Sequence, residues 1–86
     1  MILQQGEVRE VGIEVINQLG QDFVIDVAEY KIINKGKEVL EEGFPAIDGH
    51  KVLLLFNATE KGEFSVIFKY HIGPEILKAK ICVEVI

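Results

Sequence analysis

Metal coordination and nucleophilic attack are the two chemistries whose residue types this chain contains. Asp48, His50, His71 and Cys82 carry the side chains a metal ion uses, but a metal centre needs several such ligands converging on one point. Their spacing matches no ligand pattern, and His71 shares outward parity with Lys69 at the end of an alternating segment, the place of a solvated histidine. No metal or other cofactor is expected. Ser65 and Cys82 are the candidate nucleophiles, and either would need a base in reach. A two-residue turn at Gly73-Pro74 would set Ser65 opposite Cys82 with Lys80 beside the thiol. An outward strand face, however, lacks the concave, water-excluding pocket that catalysis uses. Glu41 and Glu42 are adjacent, so in a strand they point to opposite faces and do not form an acid/base pair. The eight glycines are scattered singly with no phosphate-cradling run. Asn57-Ala58-Thr59 fits a glycosylation acceptor pattern but reads as a turn. The expectation is a protein that is not an enzyme.

The elements that hold these residues follow from composition and period. Of 86 residues, 49% are hydrophobic and 27% charged. Ile and Val supply 22, a composition that is too apolar for disorder and favours strands. One domain over residues 1–86 is expected. The net charge of -5 opposes nucleic-acid binding. Neither a secretory signal nor a membrane span is expected from Met1-Ile2-Leu3-Gln4-Gln5-Gly6, which holds no basic region and no long apolar run. A single cysteine excludes an internal disulfide, so a product made in the cytoplasm is expected, with no nucleic-acid or membrane partner.

Alternation predicts a first strand from Val8 to Asn17 and a turn at Gln18–Asp22. A parity change between Ile25 and Ala28 predicts a bend near Val27 and two short strands within 23–33. Asn34-Lys35-Gly36-Lys37 predicts a hairpin with Gly36 at positive φ, and 38–42 the return strand. Phe44–Gly49 reads as a loop or irregular edge. The apolar run Lys51–Phe56 suits a strand that is central or covered on both faces. Phe64, Val66, Phe68 and Tyr70 alternate cleanly, as do Leu77, Ala79, Ile81, Val83 and Val85. For both sets to share one interior, paired residue numbers must add to an odd value, which a two-residue or four-residue loop allows and a three-residue loop allows only with a bulge. About seven strands and no amphipathic helix predict an antiparallel two-sheet β-sandwich. An SH3-like or OB-type barrel is the competing architecture.

The segments Gly12–Gln21, Ala28–Ile32 with Asn34–Val39, Lys51–Val66 and Ile81–Val85 resemble the immunoglobulin-like domains of bacteriophage tail, baseplate and decoration proteins. The Thr59-Glu60-Lys61-Gly62-Glu63-Phe64 turn recurs in many bacterial immunoglobulin-like and fibronectin-like modules, adhesins included. The resemblance implies an immunoglobulin-like antiparallel two-sheet β-sandwich and a broad role in assembly or adhesion; by analogy it points to a small phage or prophage virion protein, and it transfers no catalytic residue.

Removing the core-parity set leaves apolar side chains that a sandwich of this size does not cover, among them Leu53, Leu55 and Ile67. A contiguous patch of them would mark a protein contact. Ile67 and the Cys82 side of the last strand are candidates for it, joined by Leu53 and Leu55 if their strand lies alongside. The expected partners are other protein subunits, either further copies of the chain or virion neighbours. A ligand-recognition module is the alternative, and it would show an exposed aromatic platform, for which Phe44 is the clear loop aromatic.

Overall fold

Strands form where β-branched and aromatic residues alternate with polar ones, and several end at or just before Gly, Asn or Asp. The computed structural model describes residues 1–16 and 23–86. In chain order the strands are β1 Ile2–Leu3, β2 Val8–Glu14, β3 Val27–Asn34, β4 Val39–Gly43, β5 Ala46–Asp48, β6 Lys51–Asn57, β7 Gly62–Ile72 and β8 Glu75–Val85. They make a five-stranded sheet ordered β1-β8-β7-β3-β4 and a three-stranded sheet ordered β2-β6-β5. Every pairing is antiparallel except β1 with β8, which is parallel.

This is the strand order of an immunoglobulin-like sandwich, β2, β6 and β5 facing β8, β7, β3 and β4, with the short β1 added beside β8. No ladder joins the two sheets among the described residues, which separates the fold from a closed barrel. Between the layers lie Leu3, Val11, Ile25, Ala28, Ile32, Val52, Leu54, Phe56, Ala58, Val66, Phe68, Val83 and Val85, one continuous core. Each sheet supplies alternate side chains to it, the consequence of period-two geometry. The β7–β8 hairpin has 11 residues in each strand, about 36 Å at roughly 3.3 Å per residue. It therefore spans most of the 41 Å long axis of the molecule.

That hairpin turns through Gly73-Pro74, with Ile72 opposite Glu75 and Gly73 at φ 56°. The register then runs unbroken to Gly62 opposite Val85, so Phe64, Val66, Phe68 and Tyr70 share a face with Leu77, Ala79, Ile81, Val83 and Val85.

Several local expectations are corrected. The first long strand stops at Glu14, and the Gln18–Asp22 turn lies outside the described residues. The segment 23–33 holds one strand, because the chain enters it only at Val27. Residues 46–48 form β5, since Ala46, Ile47 and Asp48 pair with Leu53, Val52 and Lys51 along the free side of β6. In the β3–β4 turn the positive φ falls on Lys37, at 64°, and Gly36 is not left-handed. The Lys37 amide donates to the Asn34 carbonyl at 3.0 Å, and the Glu38 amide to Asn34 Oδ1 at 2.9 Å. This makes a three-residue loop, whose last residue takes the left-handed position.

Candidate functional site

The strand order decides which exposed apolar residues can act together. Leu53 and Leu55 stand on the outer face of the three-stranded sheet, Ile67 and Cys82 on the outer face of the five-stranded one. β6 does not lie alongside β7 or β8, so the four residues form two separate pairs and not one patch.

On the three-stranded sheet β6 is central, but its outer face is uncovered. Leu55, opposite Glu10, is 68% exposed, whereas Leu53 is half-buried. The difference comes from Gly12, the partner of Leu53: a Cβ there would lie 2.3 Å from Leu53 Cδ2. Leu53 lies flat on a strand that has no side chain beneath it. Phe44, 81% exposed, sits with Pro45 and Ala46 on the chain that crosses from β4 to β5. Phe44, Pro45, Ala46, Leu53 and Leu55 border a shallow depression of 320 Å³, with Glu10 at its rim.

The other outer face is different in kind. Ile67 is half-buried between Lys31 of β3 and Lys80 of β8, and Lys69 stands directly opposite Lys78. Ile67, Lys31, Lys69 and Lys78 line a groove of 480 Å³, which Glu29, Glu42 and Phe44 also border. Phe44 thus forms a ridge between the lysine groove and the apolar depression. Cys82 is exposed and free, and Ser65 faces it in register. Both border a depression of 510 Å³ that Lys35, Lys37, Lys80 and Glu63 also line. Among the described residues no three His, Cys, Asp or Glu side chains converge to hold a metal ion.

The Lys69–Lys78 opposition was present in the sequence, because a two-residue loop at Gly73-Pro74 fixes that pairing. Lys31 joins them only through β3, which no local pattern places beside β7.

Tyr30 lies under the Phe44 ridge, and its hydroxyl donates to Glu41 Oε2 at 2.7 Å. That hydrogen bond, then desolvation, then the carboxylate charge raise the phenol above its usual value of 10.0. A raised folded-state pKa favours the protonated form, so its stabilising contribution is full below pH 10 and is lost as pH rises through the folded-state value. A Glu41→Gln substitution is expected to move the absorbance-detected titration of Tyr30 back down. An unchanged titration would remove the hydrogen bond as its cause.

No protein-family model, curated protein or solved structure matches the chain.

Proposed function

We propose that this domain is a non-enzymatic structural module that assembles with neighbouring copies, as a small phage or prophage virion component made in the cytoplasm. The fold and the sequence resemblance support an assembly role. The observation that carries it is the pair Phe44 and Leu55, 81% and 68% exposed around one depression on the three-stranded sheet. Large apolar side chains grouped this way favour a protein contact over water. Burying one such side chain contributes about 1.5 to 3 kcal/mol, roughly tenfold or more in association constant.

Sedimentation over a concentration series tests the reading. The wild-type chain is expected to associate, and Leu55→Asp to weaken association at least about tenfold with little loss of stability, because that side chain is already in solvent. A wild-type chain that stays monomeric at millimolar concentration would overturn it.

A ligand-recognition module is the second reading, and the exposed Phe44 ring beside Lys31, Lys69 and Lys78 favours it. An aromatic face packs on a sugar ring, and the ammonium groups would select acidic substituents. Titration with an acidic oligosaccharide that perturbed Phe44 but not Leu55 would move the assignment to this class.

A further inference from the structure

We propose that the open edge of β8, from Ile76 to Ile81, takes up an extended segment of a partner protein as an added strand, one alternating acidic with apolar side chains. The backbone makes the site. β1 covers β8 only at Glu84 and Val85. There the Glu84 amide donates to the Met1 carbonyl at 2.9 Å and the Ile86 amide to the Leu3 carbonyl at 2.8 Å, while the Cys82 carbonyl accepts the Met1 amino group at 3.2 Å. Backbone groups alternate in direction along a strand, so the N–H and C=O of Ile76, Lys78 and Lys80 point to the same edge. Among the described residues no strand pairs with them.

Burial along β8 follows this coverage. Val83 and Val85 are 1% and 3% exposed beside β1, whereas Leu77, Ala79 and Ile81, facing the same interior, are only half-buried. A strand of about six residues, roughly 20 Å long, would complete the layer and cover them with its own apolar set.

The outward set specifies the charge. If the groups of Lys78 and Lys80 point away from β7, then Lys78 with Lys69, and Lys80 with Ile67, are the non-hydrogen-bonded pairs, whose side chains stand closest. Lys69 and Lys78 therefore oppose each other as like charges. Among the described residues the ion pairs are Arg9 with Glu7 and Lys35 with Glu63, so none involves Lys69, Lys78 or Lys80. Lys69 has Glu29 of β3 as its other cross-strand neighbour, while carboxylates on an added strand opposite Lys78 and Lys80 would complement those two. A second copy pairing antiparallel through this edge does not: registers centred on Lys78, Ala79 or Lys80 each set a lysine of one copy against a lysine of the other.

The test is NMR titration of the full chain with a capped peptide of about eight residues alternating glutamate and valine. Amide shifts are expected to cluster at 76–81, with slowed hydrogen exchange at Ile76, Lys78 and Lys80. The double variant Lys78→Glu, Lys80→Glu should weaken binding about tenfold and favour a lysine-valine peptide instead. It disturbs no core residue, and a fall in wild-type affinity with added salt checks the charge term without any mutation. Equal binding of the lysine-valine peptide to the wild type, shifts centred elsewhere, or no binding would overturn the proposal. So would concentration-dependent protection of these amides without peptide, which would mean a second copy on the edge. Leu55→Asp is expected to leave the peptide affinity unchanged, so this site and the assembly face fail separately.

Discussion

Phe68→Ala is expected to cost about 3 to 5 kcal/mol, a large share of the roughly 4 to 13 kcal/mol that a chain of this length holds. Phe68 is 0% exposed, the largest side chain fully enclosed between the sheets. Its in-register neighbours are Tyr30 on β3 and the small Ala79 on β8, so the ring fills space that neither can reclaim. Removing it takes away the transfer free energy of the ring and leaves a cavity that paired strands on both sides keep from collapsing. Urea denaturation measures the loss. Ile67→Ala, one residue earlier on the same strand, is the control: its side chain points outward and is half-buried, so its loss should stay below about 1.5 kcal/mol. Comparable losses at the two positions would mean that β7 does not separate an inner from an outer face.

The inner face of this hairpin was legible because three signals agreed. Strict alternation gave the period, Gly73-Pro74 gave the loop, and the two parities then permitted one family of registers. Where the structure departs from the sequence reading, the missing information is nonlocal. β5 is a three-residue strand whose residues lack a strong alternating signal, and it exists because β6 has an unoccupied edge. Lys37 adopts φ 64° beside a glycine better suited to it, because the Asn34 side chain and carbonyl place the turn one residue later.

The candidate faces were half legible. Parity marked Leu53, Leu55, Ile67 and Cys82 as outward, which they are, but parity carries no information on which sheet a strand joins. Their division between two sheets depends on β6 pairing with β2 and β5 while β8 pairs with β7, contacts distant in sequence. The same limit hid the lysine groove, whose three walls come from β3, β7 and β8.

Gly12→Ala is expected to destabilise the chain by about 1 to 3 kcal/mol and to enlarge its exposed apolar surface. The new Cβ would meet Leu53 Cδ2 at 2.3 Å, the Val52 carbonyl oxygen at 2.6 Å and Leu53 Cα at 3.3 Å. The first contact is with a flexible side-chain end, and Leu53 relieves it by swinging into solvent. The other two are with backbone, so β2 must also shift away from β6 and weaken the ladder between Val8 and Glu14. The double variant Gly12→Ala, Leu53→Ala separates these causes, because it removes the side-chain clash and keeps the backbone one. Partial recovery of stability is the expected result. Gly36→Ala is the matched control, since its nearest contact would be Asn34 Oδ1 at 3.4 Å and its φ is not left-handed. That change should be neutral or stabilising by up to about 1 kcal/mol. If the assembly reading holds, Gly12→Ala should also raise the tendency to associate at a given folded fraction, because Leu53 then joins Leu55 and Phe44 in water. Unchanged stability would mean that Leu53 does not rest on Gly12, and the difference in exposure between the two leucines would lose its explanation.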